Sequence, residues 1–401
     1  MFQALRTWFG LARQPGVQNP GPGTYPTESP VSVTFDSAMQ LSAVWACSRL
    51  IAETIASLPL GIYRKTGPGR ELDTSSDLAG LFSGKLNRYQ TRCEFFETTL
   101  LNLVMRGNAY ALKQKVGERL VGLLPLMAGQ VETHLLKDGS VVHLYSHDQG
   151  VTAYADESIW HLKLFGNGII GLSPLSYARN TMGVALAGEA RVSKIFQNGG
   201  KPTGVLMYDH VLKAEQRAQI RKEFDELREG NTDRLMVLEA GMKYQQVSMT
   251  PQDIQLLESR RFQIEDIARF FGVPSVLIND TSGSTTWGSG IYEIVQGFHK
   301  LNLRPYLGRI EQSIVQNLAQ PADRTQLEAV FDLDELLRGD MPARMEGYNK
   351  GINSGVLKPN DARRKEHLPP EEGGEQLFVN GNMIPLAQAA KGNRLLKPQA
   401  P

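Results

Sequence analysis

Apolar residues recur every three or four positions along residues 37–57, at Leu41, Val44, Trp45, Ile51, Ile55 and Leu58, with Ser48 as the one polar step. That spacing predicts a helix with one buried face, stopped by Pro59. LGIYRK (60–65) reads as a short strand and GPG (67–69) as a turn. Residues 92–106 carry a second helical pattern, and NAYALKQK (108–115) follows as a strand. Between 120 and 164 the pattern shortens to the strands VGLLPL, VETHLL, VVHLYS and IWHLKLF. Lys137-Asp138-Gly139 has hairpin chemistry there, because glycine takes a positive φ cheaply. Residues 173–197 predict a long helix with Pro174 in its first turn, where a missing N–H is harmless, and GVLMYD (204–209) predicts a strand. Residues 35–210 thus form an α+β body.

The pattern then changes. Residues 213–229 read as a charged helix with a narrow stripe at Ile220, Phe224 and Leu227. Such a stripe suits a helix packed in a ring between copies of itself, or a solvated surface helix. Residues 234–248 read as two strands around Ala240-Gly241. Thr250 and Pro251 open the next helix, with Ile254, Leu257, Ile264, Ile267 and Phe271 on its buried face and Gly272-Val273-Pro274 as its stop. A small polar loop, TSGSTTWGSG (281–290), precedes a helix over 291–318, about 40 Å long at 1.5 Å per residue. Pro305 removes one backbone hydrogen bond inside it and crowds the carbonyl four residues back, so a kink near Leu301 is expected. Residues 334–351 predict another helix, followed by a turn at 355–359 and a short charged helix ahead of Pro369-Pro370. QPGVQNPGPGTYPTESP (14–30) is too rich in Pro and Gly for a regular element and reads as a flexible arm, as does the polar stretch 387–401.

Composition narrows the function. At 401 residues, 41% apolar and 21% charged, the chain has the make-up of a soluble globular protein of two or three domains. A net charge of +1 advertises no global grip on nucleic acid. Cys47 and Cys93 lack CxxC spacing and read as free thiols in a reducing cytoplasm. No apolar run reaches the ~18 residues of a membrane span. Neither GxxxxGK[ST], HExxH nor GxSxG occurs, and no cofactor or metal set is indicated. The one enzyme-like signal is Gly166-x-Gly168-x-x-Gly171, which lies between a strand and a helix as a dinucleotide fingerprint would. Asp209, the acid ending the next strand, stands 38 residues beyond Gly171 instead of about 20. Pro174 also removes a donor where a pyrophosphate would want one. A tight strand-to-helix turn is the preferred reading, and a nucleotide-binding α/β enzyme the alternative.

Eight motifs, in order, carry a likeness: AVWACSRLIAETIASLPL (43–60), RGNAY (106–110), LLPL (123–126), GLSPL (171–175), FQNGGKPTGVL (196–206), LESRRFQIEDIARFFGVP (257–274), LRPYLGRIEQ (303–312) and LPPEEGGEQLFVNGNMIPL (368–386). In these the chain resembles the HK97-type portal family of tailed bacteriophages. The resemblance implies the α+β portal fold. Its parts would be an arm (1–34), a wing (35–210), a first stem helix (211–233), a clip (234–249), a second stem helix (250–273), a tunnel loop (274–290), a long kinked helix with a wing return (291–335), a crown (336–386) and a tail (387–401). It further implies a homo-oligomeric ring, in that family usually of twelve copies, set in the virion at one capsid vertex after assembly in the host cytoplasm. Implied partners are double-stranded DNA in the channel, the large terminase, the major capsid protein and head–tail connector proteins, with no membrane. Thr281, Ser282, Ser284, Thr285, Thr286 and Trp287 would face DNA from the tunnel loop, Trp287 either touching DNA or bracing a neighbour. Arg217, Arg221, Lys222 and Arg228 would line the stem channel, interleaved with acids, and Pro305 would set the helix kink.

Overall fold

The computed structural model describes residues 32–67, 69–197, 204–207, 215, 243–246, 262–279, 289–333, 341–366 and 368–378. It divides into two compact units, one ending at Val330 and the other beginning at Phe331.

In the first unit, the single helix expected over 37–57 is two pieces, α1 (Phe35–Met39) and α2 (Ser42–Ser57). Thr34 and Ser37 form a reciprocal capping box that starts α1 early. Leu41 is apolar and buried yet extended, with φ −71 and ψ 121, so burial of its side chain redirects the chain between the helices. Ser48, the polar step, donates its hydroxyl to the Val44 carbonyl one turn back. The hairpin β1 (Leu60–Thr66) and β2 (Gly69–Leu72) follows, then α3 (Asp77–Ser83), which the periodicity did not single out. α4 (Arg92–Arg106) matches its expected span. Thr91 and Glu94 box its start, and Gly107 in the left-handed region (φ 73) ends it. α2 and α4 pack together, burying Val44, Ile51 and Ile55 on one and Phe96, Leu100 and Leu103 on the other.

β3 (Asn108–Val116) pairs antiparallel with β4 (Arg119–Leu126) and, on its other side, with β8 (Ile159–Lys163). A second antiparallel sheet runs β5 (Val131–Leu135), β6 (Val141–His147), β7 (Gly150–Ala155), the last of these missed by the strand pattern. Tyr110, Leu126, Ala128, Val131 and Ile159 form one buried cluster shared by the two sheets. The helix expected over 173–197 breaks at Ala178 (φ −85, ψ 2) into α5 (Pro174–Tyr177) and α6 (Arg179–Gln197).

β9 (Gly204–Met207) pairs antiparallel with β10 (Lys243–Gln246), Gly204 opposite Gln246. Within the 234–248 strand pair expected from sequence, β10 is the described part. After helix α7 (residues 262–271) come α8 (Ser289–Gly297), a π-helical stretch Phe298–Leu303 and α9 (Arg304–Leu318). β11 (Leu327–Phe331) then joins β1 to give the order β11-β1-β2. Arg64 ties this edge by ion pairs to Asp73 and Asp323, and Glu328 takes Lys65 and Arg70.

The second unit holds α10 (Met341–Asn353) and α11 (Pro359–Lys365). Polar contacts join them. Arg344 reaches both oxygens of Glu366, at 2.6 and 3.0 Å, and the Tyr348 hydroxyl donates to the same carboxylate. Asn360 is buried, accepting from the Glu371 N–H and donating to the Glu371 carbonyl and to Glu375.

Candidate functional site

Of the positions expected to carry function, Thr281, Ser282, Ser284, Thr285, Thr286 and Trp287 lie outside the described residues, as do Arg217, Arg221, Lys222 and Arg228. Pro305 and both flanks of the 281–287 loop are described, so the frame of the loop can be built from its residues upward.

α7 buries Ile267, Ala268 and Phe271, three of the apolar positions on its periodic face or beside it. It ends in a Schellman turn: Val273 N–H reaches the Ala268 carbonyl at 2.9 Å and Gly272 N–H the Arg269 carbonyl at 3.1 Å, with Gly272 at φ +67. Pro274 then opens one turn of 3-10 helix, Ser275–Ile278, and Asn279 closes it at φ 67. Among the described residues Asn279 is the one non-glycine with positive φ, and asparagine tolerates that region better than most L-residues. The chain therefore enters the loop through a sharp, fixed corner.

On the far side, α8 runs into the π-helical stretch directly ahead of Pro305. Arg304 N–H bonds the His299 carbonyl five residues back, so the wider turn shifts the hydrogen-bond register where proline can neither donate nor tolerate the normal carbonyl. Phe298, Leu303, Leu307, Ile310 and Ile314 stay buried through the change. The side chain of Asn302 lies against Gly272, where an added Cβ would stand 2.5 Å from its amide nitrogen. The two flanks of the loop are thus in van der Waals contact. α9 is anchored to the body, as Trp160 Nε1–H donates to Ser313 Oγ at 2.9 Å, and within the helix Arg304 pairs with Glu311 at 2.9 Å. Residues 262–279 and 289–318 form a firm base from which residues 280–288 spring.

The glycine-rich turn has a different use from phosphate binding. Gly166 and Gly171 form a β-bridge, and the amides of Asn167, Ile169, Ile170, Gly171 and Leu172 all donate within the loop or to Asn108. Asn108 is fully committed. Its oxygen accepts from Gly171 N–H (2.8 Å) and His161 Nε2 (3.0 Å), and its nitrogen donates to the carbonyls of Gly171 (2.8 Å) and Arg106 (3.1 Å). Donors spent this way cannot cradle a pyrophosphate. The strand-to-helix turn, locked onto the RGNAY segment, is what the glycines build. Sequence periodicity passed over Asn108; the motif RGNAY was its only trace.

A polar chain crosses the seam between the two sheets. Asp156 Oδ1 lies 3.0 Å from His143 Nε2, His143 Nδ1 lies 3.0 Å from Thr133 Oγ1, and Thr133 Oγ1 lies 3.0 Å from the Tyr110 hydroxyl. A neutral His143 satisfies every link: Nε2–H donates to Asp156, and Nδ1 accepts from Thr133, which accepts from Tyr110. His161 stacks on Tyr110 at 4.3 Å. Burial holds His143 below the ordinary imidazole value of 6.5, outweighing Asp156, and holds His161 well below it, helped by His143 and Lys163. Both groups have a lower pKa folded than unfolded. Their contribution to stability is therefore full above about 6.5 and is lost as pH falls below it. The thermal midpoint should be lower at pH 5.5 than at pH 7.5. In His161→Gln, which can still donate to Asn108, the drop should shrink; an unchanged profile would refute the assignment.

Among the described residues no group of three His, Cys, Asp or Glu stands in position to hold a metal, and no helix is long and apolar enough to cross a membrane. Cys47 is buried and its thiol is pushed up to about 12 by that burial; Cys93 is also free.

The family profile described as phage portal protein matches residues 42–367. The portal protein of Enterobacteria phage HK97 is 35% identical over 394 residues, covering 95% of this chain and 92% of that protein. A subunit in the neck of an empty gene transfer agent particle, computed with C6 symmetry, superposes with a TM-score of 0.64 at 23% identity, covering 87% of this chain and 97% of that one. A subunit in the neck of a native particle of the same kind, computed with C12 symmetry, gives 0.60 at 22% identity with the same coverage.

Proposed function

We infer the work of this protein from its family: the chain belongs to the phage portal proteins. We propose that copies of it close into a ring, of twelve subunits, at a single capsid vertex of the virion. Double-stranded DNA is driven in through the central channel by the terminase motor and later leaves by the same route. Head–tail connector proteins dock on the ring once the head is full, and the major capsid protein surrounds it. The contribution of the subunit is geometric and involves no bond-making chemistry.

The single observation that carries this is a sequence match at 35% identity along 95% of the chain. Two physical features support it. The loop 281–290 offers hydroxyls, glycine and one tryptophan but no lysine or arginine, a lining that touches phosphates without gripping them. Its flanks, residues 262–279 and 289–318, are firmly seated. A portal also needs a wide contact between identical subunits, since a closed ring joins each copy head to tail with the next.

Native mass measurement and negative-stain microscopy of the purified chain test the proposal. Closed rings with a central hole, of about twelve copies by the family resemblance, are expected. A protein that stays monomeric at every concentration and salt would overturn it.

A further inference from the structure

We propose that the surface built by the glycine-rich loop 164–172 and the outer face of α6 is the contact each subunit makes with the next copy of this chain. The inference rests on the ring reading above and names where on the subunit the ring is joined.

The loop holds an aromatic side chain out of the protein on a rigid mount. Phe165 is 74% exposed, and Leu172, whose N–H bonds the Phe165 carbonyl at 2.8 Å, is also exposed. That neck is fixed from several sides, by the Gly166–Gly171 bridge, the Asn108 side chain and Lys163 donating to the Gly168 carbonyl. The bonds that lock the turn to the body also leave the phenyl ring facing solvent. For association that lowers the cost, because an anchor already held in place loses little freedom on binding.

The surface continues along the chain. Tyr177 is 65% exposed and Val184 is 52% exposed. In α6, Asn180, Val184 and the half-buried Ala187 fall at spacings of three and four on one stripe, which ends at the exposed Arg191. From residue 164 to residue 190 the charged residues, Arg179 and Glu189, are half-buried and the exposed positions are uncharged, although 21% of the chain is charged. An outward helix face normally bears charge, whereas the centre of a protein interface is depleted of it and enriched in aromatic residues.

Two aromatic and two aliphatic side chains at these exposures present on the order of 300–400 Å² of apolar surface. One partner in a standard stable interface contributes about 800 Å². The surface is thus of a size to form the centre of such a contact. Its lack of charge argues for the occupant: a partner that comes and goes is steered by complementary charge, while permanent contacts between copies are the more apolar kind. A second copy of this chain, laid head to tail, is the partner that fits.

The test uses the full chain with Phe165→Ser and Val184→Glu, singly and together, and Val116→Glu as the comparison. Val116 is 70% exposed and stands at the far end of β3. All three sites are open to solvent, so circular dichroism melting should match the unsubstituted chain. Ring content read by mass photometry at equal concentration should fall at least tenfold in the double variant and stay unchanged in Val116→Glu. Intact rings from the double variant would overturn this inference alone, and so would equal loss from Val116→Glu. Rings that form normally but fail to enter heads would assign the surface to the shell protein, against the proposal. Absence of rings from the unsubstituted chain would overturn the ring reading as well.

Discussion

Alanine at position 171 should leave little folded protein. A Cβ there would stand 2.1 Å from the Gly107 carbonyl oxygen and 2.8 Å from the Leu164 nitrogen, both of them backbone atoms. Neither can step aside, since Leu164 N–H bonds that same Gly107 carbonyl at 2.9 Å and Asn108 clasps both polar groups of Gly171. Relief means breaking two or three buried hydrogen bonds, at about 1–3 kcal/mol each once their partners are left unpaired. The sum, about 2–9 kcal/mol, is a large fraction of the ~5–15 kcal/mol that holds a domain. Gly168→Ala supplies the contrast. Its φ of +91 disfavours a side chain, but nothing lies within 4 Å, so about 1–2 kcal/mol is expected. Soluble yield and urea midpoints should rank unsubstituted chain, Gly168→Ala, then Gly171→Ala far behind. A Gly171→Ala protein as stable as the parent would show that the turn is not the lock described.

Deleting residues 281–289 should have the opposite character, sparing the fold and abolishing packaging. The frame around the loop buries its own core through Ile267, Phe271, Phe298 and Leu303, and its flanks meet at Gly272 and Asn302. Rings should therefore assemble, and heads made with them should stay empty, counted by microscopy and by nuclease-protected DNA. A milder form keeps the loop and adds charge: Thr285→Lys with Thr286→Lys in every copy crowds cations where DNA passes and should slow filling in a salt-dependent way. Normal packaging by the deletion would refute the role given to Thr281, Ser282, Ser284, Thr285, Thr286 and Trp287.

Local rules made much of the body legible. The span of α4 was readable because periodicity, a Thr-x-x-Glu start and a C-terminal glycine agree there. The stop after Phe271 was readable from Gly272 and Pro274, and the disturbance in the long helix from Pro305. What escaped depends on contacts between distant residues. Leu41 looks like one more apolar position of a helix, yet burying it needs an extended residue and splits α1 from α2. β11 becomes a strand by pairing with β1, some 260 residues earlier in the chain. The Gly166–Gly171 pattern looks the same in sequence whether its amides face a phosphate or are consumed; Asn108, 63 residues away, decides it. Of the site itself, sequence supplied the polar make-up of the loop and the proline. The corner at Asn279 and the contact between Gly272 and Asn302 needed the fold.

Portal function requires above all that a ring of this chain surround DNA at one vertex. The direct measurement is an asymmetric electron-microscopy reconstruction of filled heads that contain it. A closed ring at a single vertex is predicted, with DNA density along the bore and the loop 281–287 as the nearest protein. Finding the chain spread over all vertices, absent from the particle, or ringed around a bore that never holds DNA would contradict it.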